Sequence, residues 1–409
     1  MKISVGNRFL HLVDDPAYIR YVLQGNARNY RKSVNYEPLK LVIGEGLLSS
    51  EGLSWRRQRR LIQPAFHRSK LETLASVIVE ETEAVSARWA GRAATQEPLN
   101  VAAEMTGLAL RAVSRALLGS DIRKETHKIS EAQTFLNRYV DFRMGGFIHL
   151  SPHVPTPRNL RFKRALADLD SVVYGIIDKR MGRNDVGDDL LGMLLEARDE
   201  QTGEAMTRRQ LRDEVATILL AGHETTANAL SWTCYLLAHD KRAEYNLHQE
   251  LDGTLRGRAP AFADLDDLPY TRAVFEEALR LYPPAWVISR KPVEDDVVGG
   301  YRIPAGSTVL LSPYVTHRHP RLWANPEAFD PERFYQASAR DRPAYAYFPF
   351  GGGPRKCIGN GFAMMEARLV LATLAQRYRL RLVQDRPVEI EPLVTLRPKY
   401  GIFATPEER

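Results

Sequence analysis

From Thr207 to His239 the chain runs without a proline, with apolar residues at helical spacing, and Thr207 with Gln210 forms a T-x-x-Q capping box at its start. At about 1.5 Å per residue this predicts a helix roughly 50 Å long, enough to cross a whole domain. A chain holding such a rod must fold other helices around it. Helical spacing does dominate from about Trp55 to Ala238, in segments such as LETLASVIVEETEAVSARW and LRFKRALADLDSVVYGIIDKRM, broken once by the prolines from Pro152 to Pro157. Asp15 and Pro16 open a further helix through Leu23, and others are expected at Lys241 to Leu255, Leu268 to Leu281 and Gly361 to Arg377. Strand character is confined to the first dozen residues, to GGYRIPAGSTVLLSPY, to YRLRLV (378 to 383) and to YGIFAT (400 to 405). The 409 residues would allow two or three ordinary domains. No repeat and no long linker divides them, so the expected fold is mainly α with a minor β sheet, one large domain over residues 1–409.

Composition narrows the function without naming it. With 44% hydrophobic and 26% charged residues the chain is globular rather than disordered. Two cysteines, Cys234 and Cys357, exclude a disulfide framework, a four-cysteine zinc site and an iron–sulfur domain. The net charge of +7 and pI near 9.3 suit nucleic acid, an anionic membrane or an acidic protein and do not choose among them. The N-terminal residues lack the apolar core of a secretory leader, and Glu224 interrupts the most apolar later stretch, so a cytoplasmic protein without a membrane anchor is expected.

Two segments carry chemistry. In FGGGPRKCIGNGFAMMEARLVLATLAQRY, Cys357 follows a glycine-rich loop and precedes a helix; Gly351, Gly352, Gly353 and Gly359 let backbone N–H groups approach the sulfur, while the helix N-terminus with Arg355 and Lys356 favours a thiolate. Such a thiolate serves as a nucleophile or as a metal ligand. Cys234, on an apolar helical face, reads as core. The second segment is AGHETT (221 to 226) in the middle of the long helix. Gly222 weakens the helix there, and Thr225 and Thr226 compete for backbone carbonyls, so a local distortion is expected, with Glu224 and Thr225 as an acid–alcohol proton relay. HETTA approaches the H-E-x-x-H zinc motif but has Ala227 for the second histidine, and GGGPRKC lacks the G-K-[ST] ending of a phosphate loop.

Taken together these segments resemble the cytochrome P450 family, the haem-thiolate monooxygenases of soluble bacterial type. FGGGPRKCIG is similar to the family's F-x-x-G-x-R-x-C-x-G loop at Phe350, Gly353, Arg355, Cys357 and Gly359, and AGHETT is similar to its oxygen-binding helix motif. Glu277 and Arg280 form its E-x-x-R pair, and Arg333, in PERF, joins that pair in a polar cluster assigned to structure rather than catalysis. The resemblance implies haem b with Cys357 as the axial iron ligand, proton delivery by Glu224 and Thr225, and room for O2 at Ala221 and Gly222. It implies propionate partners at Trp55, Arg59, Arg290 and Arg355, arginine being suited by its planar fork. It places substrate contacts around Val34 to Ile43, Phe142 to Val154, Leu219 and Leu220, Ala285 to Ile288 and Val394 to Leu396, mostly apolar as a fatty-acid-, terpenoid- or polyketide-like substrate requires.

The haem domain uses the whole length, so electrons from NAD(P)H are expected to arrive through a separate ferredoxin or flavodoxin with its reductase, steered to a basic face of Arg56, Arg57, Arg60 and Lys356. A monomer that binds no nucleic acid is expected. The family's usual first helix and strand have no counterpart ahead of Lys2 to Val13, so a late start is expected. Alternatives are a peroxide-driven peroxygenase, against which the intact Glu224 and Thr225 speak, a non-catalytic haem protein, and a cysteine hydrolase.

Overall fold

The computed structural model describes residues 2–5, 8–145, 150–182, 187, 189–198, 203–335, 341–383 and 388–409. Its helices are α1 (Pro16–Arg20), α2 (Glu37–Ile43), α3 (Gly52–Ile62), α4 (Arg68–Thr95), α5 (Val101–Leu118), α6 (Thr126–Gly145), α7 (Pro157–Met181), α8 (Leu190–Glu196), α9 (Arg208–His239), α10 (Lys241–Leu255), α11 (Pro269–Leu281), α12 (Pro313–Thr316), α13 (Glu332–Tyr335) and α14 (Asn360–Ala375). The strands are β1 (Lys2–Val5), β2 (Arg8–Val13), β3 (Tyr30–Lys32), β4 (Leu99–Asn100), β5 (Ile288–Pro292), β6 (Asp296–Val298), β7 (Tyr301–Ile303), β8 (Thr308–Leu311), β9 (Tyr378–Leu382), β10 (Ile390–Pro392), β11 (Leu396–Pro398) and β12 (Phe403–Glu408).

The long rod is α9. Its capping box forms as expected: the Gln210 N–H donates to the Thr207 hydroxyl at 3.2 Å, and the Thr207 N–H donates to the Gln210 side chain at 2.8 Å. Leu211 to Leu219 and Thr226 to Cys234 are buried, so both halves of α9 are sheathed in core, chiefly by α5, α7 and α11. Each such leucine or valine contributes about 2 kcal/mol of apolar burial, which outweighs the weak propensity at Gly222. The expected distortion at 221–226 is therefore absent from the backbone pattern, and α9 is continuous. Thr225 and Thr226 instead donate back to the Ala221 and Gly222 carbonyls at 2.9 and 3.2 Å, leaving the helix unbroken.

Elsewhere the periodicity needs three corrections. The first helix leaves α geometry after Arg20 and becomes a π turn over Tyr21–Gly25. The block from Trp55 to Ala238 breaks at His67, at the two-residue strand β4, between Leu118 and Thr126, and on either side of the short α8, as well as at the prolines. The last strand begins at Phe403 rather than at Tyr400, because Gly401, at φ 84°, closes the turn after β11 first. The main sheet has the order β1-β2-β8-β5-β3, with β2 and β8 parallel and the other neighbours antiparallel; β4-β12-β9 form a second sheet, and β6-β7 and β10-β11 are hairpins. Register in the main sheet sets Lys32 directly opposite Arg290.

A buried ionic knot ties α11 to the segment after α12. Arg280 Nε and Nη2 donate to the two Glu277 oxygens at 2.7 Å each, and both residues have no exposed surface. Arg280 also donates to the carbonyls of His317, Pro326 and Ala328 at 2.8, 2.6 and 2.8 Å. Arg333 approaches Glu277 Oε1 at 3.3 Å, and the Asp330 N–H donates to the same oxygen at 2.9 Å. His317, also buried, accepts the Phe348 N–H at Nε2, 2.9 Å, and so fixes the segment that leads into the cysteine loop.

Candidate active site

Cys357 lies three residues before α14, and its own N–H donates to the Phe350 carbonyl at 3.0 Å. Phe350 packs half-buried on the core, so the loop is pinned on both sides of its glycines. Gly353 is required: at φ 62° a Cβ would lie 1.8 Å from the Leu23 carbonyl of the π turn. Gly359, at φ −87°, is not strained, and its place is explained by its N–H, which faces the sulfur. Cys357 is exposed by surface area although it lies deep in the molecule, so its sulfur borders an interior space. Burial pushes the thiol up, while the Gly359 N–H, Arg59 and Lys356 pull it down. Arg355 is not among the bases acting on the sulfur. It turns away to Ser50 O at 2.9 Å and to Glu51, stacked over Trp55 at 3.8 Å.

Arg59 takes the place that Arg355 was expected to hold. Its guanidinium donates to the Lys356 carbonyl at 2.8 Å and acts on Cys357. The structure thus groups Arg59 with the sulfur and not with Arg290 and Arg355.

The second wall is the middle turn of α9. Ala221 is exposed and Glu224 and Thr225 are half-buried, in a helix otherwise sheathed on both sides. An open space therefore meets α9 at this turn. Gly222 does not open it: a Cβ there would meet Val113 at 3.2 Å, so this glycine lets α5 pack close. Leu219, expected as a substrate contact, has no exposed surface and is core, whereas Leu220 is half-buried.

Glu224 is held by neutral donors from two other elements. Gln133 Nε2 donates at 2.5 Å and Asn137 Nδ2 at 2.7 Å, both from α6, and Thr395 Oγ1 donates at 2.7 Å from the turn between β10 and β11. Asn228 in turn donates to Thr395 at 3.2 Å. The carboxylate is thus bonded to α6 and to the β10–β11 turn, while the Thr225 hydroxyl serves the Ala221 carbonyl. Contacts run on from this turn to the cysteine loop: the Leu396 N–H donates to the Pro284 carbonyl at 2.9 Å, and Ile288 lies against Gly351. Exposed Ala285 and half-buried Val287 and Val394 line that path with apolar surface. Of the segment 142–154, residues 146–149 lie outside the described residues, and Phe142, Leu150 and Val154 are exposed.

The third feature is a surplus of positive charge. Lys32 and Arg290 face each other across β3 and β5, and Arg355 lies beside both. Like charges directly opposite in a sheet repel. Burial, and then Arg355, push the Lys32 ammonium down to about 7. Among the described residues the carboxylate beside these cations is Glu51, which accepts from the Lys32 backbone N–H at 3.0 Å and from Arg355, while the Lys32 ammonium donates to the Ser50 carbonyl at 2.9 Å. Arg290, almost fully buried, donates to its neighbour Ser289 O at 3.1 Å. A partly buried site with more cations than anions calls for an anionic ligand. An open sulfur at one point and surplus cations at another fit a flat metal macrocycle bearing two carboxylates, which is the shape and charge of haem b.

Lys32, Glu51, Gln133, Asn137 and Thr395 were not singled out from the sequence as individual residues. Gln133 and Asn137 stand four apart on one helix face, a legible signal. Lys32 carried none, since the register that opposes it to Arg290 joins segments far apart in the chain.

Comparison with known proteins follows this geometry. The family model described as Cytochrome P450 matches residues 1–404. The chain is 40% identical to cyclooctatin synthase of Streptomyces melanosporofaciens, over 97% of this chain and 86% of that protein. It is 36% identical to cyclooctat-9-en-7-ol 5-monooxygenase of the same organism, over 93% and 82%. The crystal structure of the cytochrome P450DA heme domain aligns with a TM-score of 0.89 and 28% identity, over 100% of this chain and 90% of that one.

Proposed function

This chain belongs to the cytochrome P450 family, and on that premise we propose that it hydroxylates a cyclic, terpenoid-type substrate with electrons delivered by a separate acidic redox protein. Its reaction class is that of the family, an oxidoreductase monooxygenase. When bound, the haem supplies oxygen activation, with one atom of O2 going into the substrate.

The chain's own residues supply holding, orientation and protons. Cys357 would hold the iron, deprotonated by coordination despite the burial that favours the thiol. Arg59 and the Gly359 N–H stabilise the sulfur's negative charge. Arg290, Lys32 and Arg355 would take the two propionates, with Trp55 backing Arg355. Glu224 stores an acid proton site on the distal wall, and Gln133, Asn137 and Thr395 set where its oxygens sit. Thr225 Oγ1 is the hydroxyl nearest the exposed Ala221 surface along α9 and would pass a proton on from there. Because α6 and the β10–β11 turn both grip Glu224, a substrate that shifts either one also moves the acid.

The observation that carries this reading is the pairing of an interior-facing sulfur with three cations around one carboxylate. The names of the two relatives support a carbocyclic substrate, as does the apolar path by Ala285, Val287 and Val394. The test is a screen for displacement of the iron-bound water, read in the haem absorption band. Cyclic terpene hydrocarbons and alcohols should shift the band and be oxidised; a preference for linear fatty acids of similar carbon number would reject the substrate class.

The redox partner is read from the sulfur side. Arg56 and Lys356 are exposed there, with Arg60 beside them. Reversing Arg56 and Lys356 to glutamate should slow reduction by a ferredoxin several-fold at low salt and flatten its salt dependence. Unchanged kinetics would reject this docking face.

A further inference from the structure

The first third of α9 carries three consecutive ionisable residues that the scheme above leaves without a role. Arg212, Asp213 and Glu214 are all buried, Glu214 completely. Arg212 reaches Asp170 of α7 at 2.8 Å and Asp213 at 3.1 Å. Among the described residues no cation pairs with Glu214, and its Oε1 has no hydrogen-bond partner. An acid buried beside another acid is costly unless something compensates. Here the compensation is backbone. The Glu45 N–H donates to Asp213 Oδ2 and the Leu47 N–H to Glu214 Oε2, each at 3.0 Å, so the two acids take alternate amides of the segment between α2 and α3.

That segment is shaped to lie against α9. Gly44 stands at φ 56°, and a Cβ on it would fall 2.1 Å from Asp213 Oδ2. Gly46 is outside the left-handed region, yet a Cβ there would fall 2.1 Å from Thr217 Oγ1 and 2.6 Å from the Asp213 carbonyl oxygen. Close approach to α9 alone demands this second glycine.

The same segment ends at the cation cluster. Gln58 of α3 donates to the Glu45 carbonyl at 2.8 Å and accepts from the Ser50 hydroxyl, and the Ser49 hydroxyl donates to the Gly44 carbonyl at 2.6 Å, so residues 44–50 are tied into one piece. At its far end the Ser50 carbonyl accepts from Lys32 Nζ and from Arg355 Nη1, at 2.9 Å each. Both cations therefore stand where this segment puts them.

We propose that Asp213 and Glu214 are positioning residues for the cation cluster: they clasp residues 44–47 to α9 and, through Ser50 and Glu51, set where Lys32 and Arg355 meet the two carboxylates of the haem. The effect passes through hydrogen-bonded backbone, as partners behind a binding group orient that group. The inference rests on the reading of the cluster as the propionate site. The Leu47 N–H needs an acceptor rather than a charge. Burial, against the pull of that N–H, pushes the Glu214 carboxyl up to about 7, and a carboxyl oxygen accepts in either state, so an amide should serve in its place.

The test uses the haem-loaded protein and follows two quantities, transfer of haem to apomyoglobin and amide hydrogen exchange over residues 44–51. Asp213 also carries Arg212, so the acid is changed at Glu214. Glu214→Leu removes the acceptor and should speed both processes several-fold, while Glu214→Gln should restore the wild-type values. Gly46→Ala lifts the segment from the other side, leaves both acids in place, and should reproduce the leucine variant. A residue that merely stabilised the fold would add its effect to that of a cluster mutation, whereas a clasp acting through the cluster would not. Haem loss from Glu214→Leu combined with Arg355→Leu should therefore fall short of the sum of the two single effects. Wild-type haem transfer in either Glu214→Leu or Gly46→Ala, a glutamine variant that loses haem as fast as the leucine one, or fully additive losses in the double variant would each overturn the proposal. If instead Arg355→Leu alone holds haem as tightly as the wild type, the reading of the cluster fails and takes this proposal with it.

Discussion

Two charged clusters lie inside this molecule, and they are built on opposite principles. At Glu277, Arg280 and Arg333 every charge has a counter-charge or a ring of carbonyls, and Arg280 and Glu277 have no exposed surface. At Lys32, Arg290 and Arg355 three cations lie together with Glu51, which pairs with Arg355; two of them face each other across a sheet, and burial with Arg355 pushes the ammonium of Lys32 down to about 7. The first cluster is complete without a ligand; the second is complete only with one. Sequence motifs mark both with arginines, and only the balance of charge distinguishes structure from binding site.

The contrast can be broken most forcefully at the complete cluster. Glu277→Ala strands Arg280 in the core and should cost about 3 to 5 kcal/mol, read as loss of folded protein in urea unfolding. In the incomplete cluster, Arg290→Leu should leave the haem-free protein as stable as before or slightly more so, since it relieves repulsion, while lowering haem retention several-fold in competition with apomyoglobin. A destabilised haem-free protein with normal haem retention would reverse the assignment of this cluster.

His317, which joins the complete cluster to the cysteine loop, sharpens the contrast through pH. Burial, and then Arg280, push its imidazole down to about 3, and its Nε2 must be neutral to accept the Phe348 N–H. Its contribution is therefore whole above about pH 6.5 and declines as pH falls toward 3, because the unfolded chain takes up the proton first. His317→Gln should flatten that acid limb of the stability curve. Lys32 gives the smallest effect. With its folded value near 7 against 10.5, the haem-free protein should gain stability as pH rises from 7 to 10, and Lys32→Met should abolish that gain. Denaturant titrations across these pH ranges check both.

Legibility followed the same divide between local and long-range information. The capping box at Thr207 and the E-x-x-R pair are each local in sequence, and both stand in the structure with their expected partners, whereas the equally local cysteine loop has Arg59 rather than Arg355 beside its sulfur. What escaped was set by packing between distant segments. The register of β3 on β5 made Lys32 a neighbour of Arg290, and α5 pressing on Gly222 turned an expected oxygen pocket residue into a packing contact. The predicted kink in α9 failed because propensity at Gly222 is weak against the burial on either side. Arg59 and Arg355 exchanged places relative to the sulfur because Ser50 and Glu51, ahead of α3, draw Arg355 away.

The central claim is that Cys357 binds the iron of a haem through sulfur, and the reduced carbon monoxide spectrum tests it most directly. The account predicts the strongly red-shifted band of thiolate-ligated haem in the wild type and its loss in Cys357→Ser, with the Glu277 and Arg280 knot intact. A wild-type protein without that band, or a serine variant that keeps it, would contradict the account.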